Sequence, residues 1–305
     1  MPRTMRHILV ALVPVAAMAL LPLVYSNQLL LFNFVVFMIL AQGINVIYGF
    51  TGYLPFGYFG FFGAGAYGFA ISIMHLRMTP LPALGMAAIA AVVLALVLVP
   101  LFRLSGAYFA IANLAAGLAV YQVVSNPSLD NITKGPYGIS LPAVFDPNFS
   151  YGIALVLLAA TMMTVIYLRN SKFGLSLQAI RDDAVSAAMA GVNVVRLRVM
   201  AWLLSAVIAG LVGGVFAWYI SVFYPQTVFS LDFSIFAIVF ALFGGMTTIL
   251  GPIIGVVILY GIYNLIGIST PQYFELIYGL LIMGLVLFQP NGGVALFKRW
   301  GIDVP

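Results

Sequence analysis

QLLLFNFVVFMILAQGINVIYG, residues 28–49, carries no charged side chain and only scattered polar ones. A helix needs about 20 predominantly apolar residues to cross a bilayer, and this stretch has that length. Working outward from it, comparable apolar runs recur near 7–26, 56–76, 80–102, 105–125, 150–168, 197–222, 233–249, 251–268 and 273–289. Residues 233–268 form one long apolar run, and the reading splits it where Gly244-Gly245 and Gly251-Pro252 interrupt it. The composition agrees with a membrane solvent: of 305 residues 64% are hydrophobic and 6% charged, against roughly a quarter charged in a soluble domain. The expected fold is all-α, a polytopic transmembrane helix bundle of about ten spans in one domain, residues 1–305. Arg3 and Arg6 ahead of the apolar run Ile8–Tyr25 have the outline of a signal peptide. The next run starts at once at Gln28 without a cleavage site, so the first run is read as a retained span.

Ten spans put both termini on one side. Cationic residues concentrate in cytoplasmic loops. With both termini cytoplasmic, Arg3, Arg6, Arg103, Arg169, Lys172, Arg181, Arg196, Arg198, Lys298 and Arg299 lie inside, and only Arg77 and Lys134 of the 12 Lys and Arg lie outside. Two loops have substance. Residues 126–149, with Pro127, Pro136, Pro142 and Pro147, form the periplasmic one, and the charged stretch 169–196 forms the cytoplasmic one. Lipid offers no hydrophobic force between helices, so spans associate through small residues. Ser205, Ala209, Gly213 and Ala217 recur every four positions, Gly251 and Gly255 repeat the spacing, and glycines crowd residues 49–68. With Pro55 that crowding predicts a broken segment, which membrane depth tolerates where it is buried or lines a cavity.

The chain carries no engine of its own. It has no cysteine, which excludes a disulfide framework, a zinc–thiolate site and a thiol nucleophile. His7 and His75 fall at span ends, as interfacial polar residues do. The acids Asp130, Asp146, Asp182, Asp183, Asp232, Glu275 and Asp303 all fall in loops or at span ends, so no intramembrane proton relay can be drawn. Lys134, Lys172 and Lys298 do not sit in a G-x-x-x-x-G-K-[ST] loop, and no G-x-S-x-G elbow exists. No catalytic residue, bound metal or cofactor is expected on the chain, and its net charge of +5 reflects loop anchoring rather than nucleic-acid binding. A passive channel or a permease driven by a separate subunit remains. GLSLQAIRDDAVSAAMAGV, residues 174–192, bears on the choice: Leu177, Ile180, Ala184, Ala187, Ala188 and Gly191 fall at helical spacing beside the polar edge Arg181-Asp182-Asp183. Such a short amphipathic helix suits either a groove on a partner or the membrane surface.

Here a specific resemblance enters. Gln178-Ala179-Ile180-Arg181-Asp182-Asp183, continuing through Ser186-Ala187-Ala188-Met189-Ala190-Gly191-Val192-Asn193, resembles the cytoplasmic loop of LivM-type permeases, the membrane subunits of branched-chain amino-acid ABC importers. The family often has Glu where Ser186 stands. Gly49–Gly57 and Phe61–Tyr67 resemble the family's glycine-rich early span, although the family usually reads Gly-Gln-Leu-Ser-Leu-Gly-His where this chain has Tyr53, Pro55, Phe56 and Tyr58. Leu104–Ala110, Gly135–Ile139, Phe243–Met246 with Leu250–Pro252, and Leu287–Gly292 are similar to further family segments, so the likeness covers roughly residues 30–297. The resemblance implies an importer in the bacterial inner membrane: this chain with a LivH-like second permease subunit or a second copy of itself, two cytoplasmic ABC ATPases that bind ATP and Mg, and a periplasmic solute-binding protein. It also implies alternating access, with Ile180, Arg181, Asp182, Asp183, Ala187, Ala188 and Gly191 docking on the ATPase.

Polar side chains on apolar spans are the candidates for the solute pathway: Gln42, Asn45, Thr51, Asn113, Gln122 and Asn264, with Gln42 and Asn45 favoured because they share a face and lead into the glycine segment. Each has a second reading, as an interhelical hydrogen bond. Phe56, Tyr58 and Phe59 either narrow the pathway or face lipid near the interface. Two other function classes stay open: a secondary carrier, which transports without an ATPase, and a scaffold without a pore. The cargo stays open among branched-chain amino acids, other amino acids, urea or short amides, and aromatic acids.

Overall fold

A computed structural model describes residues 3–269 together with 279, 280, 283 and 284. The helices follow one another as α1 (Arg3–Leu20), α2 (Gln28–Ile44), α3 (Tyr58–Leu76), α4 (Pro80–Val97), α5 (Ala107–Val124), α6 (Asp130–Thr133), α7 (Pro147–Asn170), α8 (Lys172–Asp182), α9 (Ala184–Met189), α10 (Val194–Ile220), α11 (Pro225–Val228), α12 (Asp232–Gly244) and α13 (Gly251–Ser269). Their starts obey local chemistry. The side chains of Asn27, Asp146 and Asn193 accept from Leu30 N, Phe149 N and Arg196 N, capping α2, α7 and α10. Pro80 and Pro147 occupy first-turn positions where a missing N–H costs nothing.

The chain is mostly helical. Among the described residues seven helices are long and apolar enough to cross a membrane, and the apolar helices Ala11–Leu23 and Gly251–Gly267 are shorter. Of the expected run 273–289, all but residues 279, 280, 283 and 284 lie outside the described residues. The split of 233–268 falls where the glycines predicted it. α12 ends at Gly244, Gly245 takes φ +105°, and α13 starts at Gly251. The loop between α5 and α7 is shorter than expected, because α7 begins at Pro147 rather than near residue 150. It also holds an element that an all-helical reading did not anticipate: β1 (Ile139–Ser140) pairs antiparallel with β2 (Val222–Phe223), Ile139 opposite Phe223.

The centre of the bundle is α10, packed along α3 and α4. The small-residue stripes explain how closely. A Cβ on Gly65 would strike the Gly210 carbonyl, and one on Gly213 the Phe62 carbonyl. Ala83, Ala87, Ala91 and Ala95, all fully buried, form the matching stripe on α4. Gly255 lies equally close to the Phe240 carbonyl, which binds α12 to α13. With backbones this near, dispersion and weak polar contacts supply the association that lipid does not.

Polar contacts sort the helix termini into two ends. At one end Gln28 Nε2 donates to Asn148 Oδ1 (2.9 Å), His75 Nε2 lies 3.3 Å from Ile132 O, and Trp218 Nε1 donates to Val144 O (2.8 Å), beside the β1–β2 pair. At the other, Asn170 Nδ2 lies 3.4 Å from His7 Nδ1, and Arg181 donates to the Gly49 carbonyl. This is the alternation that successive crossings produce.

Candidate functional site: a broken helix tied to a two-helix loop

α2 does not end cleanly. It continues through a π-helical turn, Asn45–Gly49, and the chain is irregular from Gly52 to Gly57 before α3 begins. Extra-residue turns of this kind open a helix and free backbone groups. The broken glycine segment expected around Pro55 is therefore present, buried at its start and half-buried around Tyr53, Leu54 and Phe56.

Gln42 and Asn45, fully buried, bind the loop between α12 and α13. Gln42 Nε2 donates to Ile249 O at 2.6 Å. Asn45 Nδ2 donates to Thr248 O (3.0 Å) and to Gln42 Oε1 (3.2 Å), while Asn45 Oδ1 accepts from Thr247 N (2.7 Å). Gly49 makes this possible, since a Cβ there would occupy the position of Asn45 Oδ1. Thr51 donates to Ile47 O (2.6 Å) within its own turn. On the far side of the broken segment, Asn113 Oδ1 accepts from Gly57 N (2.7 Å), while the buried Asn113 Nδ2 has no partner among the described residues. Tyr58 donates to Ser205 O (2.9 Å), and the Ser205 hydroxyl donates to Gly43 O (2.7 Å). Phe59 N donates to Ser234 Oγ (2.7 Å).

Gln42, Asn45, Thr51, Tyr58 and Asn113 are thus gathered around one break, and all five are buried. Phe56 is half-buried at the same break. Tyr58 and Phe59 are 1% and 0% exposed, so the lipid-facing alternative for those two rings is overturned: α2 and α10 lie against the Tyr58 ring and α5 against the Phe59 ring. Tyr53, one of the departures from the family pattern, packs edge-on against Phe102 and Phe109, with the Arg198 guanidinium 4.7 Å from its ring centroid. That contact holds the first turns of α10 against the broken segment.

The loop 169–196 is two helices, not the single helix its spacing predicts over 174–192. Asp183 takes an extended conformation and caps α9: its carboxylate accepts from Val185 N (2.9 Å) and from the Ser186 hydroxyl (2.5 Å). These bonds, the Ser186 hydroxyl first, hold the Asp183 carboxyl below the usual carboxylate range. Ser186 therefore fills the third position of a capping arrangement that a Glu completes by a different route, by reaching back to the cap backbone. Leu177, Ile180 and Ala187 turn inward, whereas Asp182, Asp183, Ala188 and Gly191 are exposed. Gly191, at φ +86° with open space around it, closes α9. Two residues that periodicity did not single out are the most conspicuous: Val185 is 70% exposed and Met189 85%. The signal that finds them is Asp183 read as a cap, since restarting the helix there turns both outward. Arg181 reaches the other way. Its Nη1 donates to Gly49 O at the end of the π turn, joining α8 to the break that holds Asn45 and the 245–250 loop.

Seven helices long and apolar enough to cross a bilayer, among the described residues, define the class as a multi-pass membrane protein, here with a broken helix and a protruding two-helix loop. The family model "Branched-chain amino acid transport system / permease component" matches residues 28–286, and the chain belongs to that family. It is 29% identical over 84% of its length to the high-affinity branched-chain amino acid permease protein LivM of Escherichia coli K12, covering 67% of that protein, and 28% identical to the LivM of Salmonella typhimurium with the same coverage. It is also 24% identical to the E. coli K12 permease protein LivH, over 83% of this chain and 89% of LivH. No solved structure matches it.

Proposed function

We propose that the chain is one permease subunit of an ATP-driven importer in the bacterial inner membrane, carrying branched-chain or related amino acids from periplasm to cytoplasm by alternating access. In this reading it crosses the membrane about ten times, with both termini and the α8–α9 loop cytoplasmic and the β1–β2 end periplasmic. Two ABC ATPases bind ATP and Mg and dock on the loop. A LivH-like subunit completes the pathway, and a periplasmic binding protein delivers the solute. The similarity of the chain to both LivM and LivH supports a pair of related subunits around one pathway.

The observation that carries the proposal is the α8–α9 loop. Val185 and Met189 expose apolar side chains on a charged loop, where a partner rather than water is their expected neighbour. Arg181, on the same loop, holds the Gly49 carbonyl. A displacement of α8 therefore pulls on the π turn, and through Asn45 on the 245–250 loop. Gln42, Asn45, Thr51, Phe56, Tyr58 and Asn113 form the closed stretch of the pathway in this account, and motion of α8 opens it.

Reconstitution tests the reading. Proteoliposomes holding this chain, its partner permease and the ATPases should accumulate L-leucine, supplied with its binding protein, only when ATP is present at the ATPase face. Accumulation driven by an ion gradient with the ATPases omitted would replace the importer with a secondary carrier.

A further inference from the structure

The middle of α2, the end of α10, the start of α12 and the middle of α13, closed off by the segment around α11, surround a cleft of about 460 Å³ toward the β1–β2 end. That volume is in the range of small-molecule sites, about 300–1,000 Å³. Its walls are aromatic. Phe37 packs at 5.8 Å from Phe233, 5.9 Å from Phe236 and 4.9 Å from Tyr260, ring centroid to centroid. Its rim is polar, with Asn33 from α2 and Gln226, Thr227 and Asp232 from the other side.

Asp232 sets the chemistry. It is exposed and lies in the first turn of α12, but it caps nothing: Leu231 is the cap residue and offers no side-chain bond. Its Oδ2 accepts from the Ser230 hydroxyl at 2.9 Å, which orients the carboxylate, and no other partner of that carboxylate lies among the described residues. A carboxylate with open valence at the mouth of an aromatic cleft attracts an ammonium group, and ring faces reinforce that preference. The amides of Asn33 and Gln226 and the Thr227 hydroxyl are donors suited to a carboxylate. Below the rim the described residues that line the cleft are aromatic, Phe37, Phe216, Phe233, Phe236, Tyr260 and Tyr263, and their ring faces suit an apolar side chain.

We propose that this cleft is a solute-binding site that receives a zwitterionic amino acid with an apolar side chain, its ammonium on Asp232 and its side chain among Phe37, Phe236 and Tyr260. The proposal rests on the importer reading and adds to it the place where this subunit itself recognises the cargo.

The test measures binding of tritiated L-leucine to the purified full-length chain, with uptake by the reconstituted complex in parallel. Wild type should bind L-leucine, and Asp232→Asn, which keeps shape and removes charge, should weaken binding about tenfold or more. Phe236→Ala should weaken it too, while Asp146→Asn, which alters another acid at the same end, should leave it unchanged. Isopentylamine should compete better than 4-methylpentanoate, and D-fructose should not compete. In the complex, Asp232→Asn should lower leucine uptake while assembly and ATP hydrolysis persist. ATP-driven uptake that is the same in wild type and Asp232→Asn would overturn the cleft and leave the importer standing. Wild-type chain that binds no L-leucine, or binds D-fructose in its place, would overturn the assignment of the cargo class. A complex that accumulates leucine without ATPases would remove the importer reading, and the binding data would still decide whether Asp232 holds the ammonium.

Discussion

Replacing Asn45 with Ala probes the joint between the broken helix and the α12–α13 loop. The side chain is fully buried and makes two hydrogen bonds to the loop, to Thr247 N at 2.7 Å and Thr248 O at 3.0 Å, besides one to Gln42 at 3.2 Å. Interhelical side-chain bonds in membranes average about 0.6 kcal/mol and reach about 1.7. Truncation also strands the part-buried Thr247 N–H, and an unsatisfied buried group costs about 1–3 kcal/mol. Ala recovers roughly 0.6 kcal/mol through its better helix propensity. The net expectation is a loss of about 2 kcal/mol, or roughly thirtyfold in the folding equilibrium. SDS titration in mixed micelles, followed by tryptophan fluorescence, reads this directly: Trp202 is buried against Phe61, with ring centroids 4.8 Å apart. Thr51→Ala is the internal comparison. It removes only a bond within one turn and should cost less than about 0.5 kcal/mol. An Asn45→Ala protein as stable as wild type, or no less stable than Thr51→Ala, would refute the claim that Asn45 holds the loop.

Three further outcomes follow from named contacts. Val185→Asp with Met189→Asp should abolish copurification of the ATPases while the chain elutes from size-exclusion chromatography as wild type does; retained association would move the docking surface elsewhere. Gly191→Val places a branched side chain at φ +86°, costing on the order of 1–3 kcal/mol locally, and should uncouple ATP hydrolysis from uptake or prevent ATPase assembly; coupled uptake at the wild-type rate would count against the role of α9. Ser186→Ala removes the leading cause of the lowered Asp183 pKa, so that pKa should rise toward the ordinary carboxylate value in a carbon-13 NMR titration. Because the folded-state pKa is depressed, the Asp183 cap favours α9 at neutral pH and is lost only as pH falls through the depressed value. In Ser186→Ala that loss should begin at higher pH, and an unchanged titration would contradict the bond.

Much of this architecture was legible in the residues. Gly244-Gly245 and Gly251-Pro252 marked the break between α12 and α13, because a glycine pair and a glycine-proline pair both interrupt a helix. The crowded glycines of 49–68 marked the broken segment, and the stripe from Ser205 to Ala217 marked the face of α10 that meets α3. What stayed hidden depended on distant partners. Nothing near Gln42 or Asn45 announces that their amides end on Ile249 and Thr248, some 200 residues away, so pathway and hydrogen bond both stayed open as readings. The β1–β2 pair joins two segments of two residues each, too short for any alternation to show. In the 174–192 loop one periodicity was carried across Asp183. The cap restarts the helix, and the restart moves Val185 and Met189 to the outside.

The central claim is that a separate engine attaches at α8–α9, and the absence of cysteine from the chain allows a clean test. Met189→Cys, introduced alone and treated with a short bifunctional thiol-to-amine reagent in the assembled complex, should crosslink to the ATPase with a yield that changes when ATP binds. Met163→Cys, exposed on the membrane-crossing part of α7, should not. ATPase crosslinks absent from position 189 in a complex that still transports, or equal at both positions, would contradict the account.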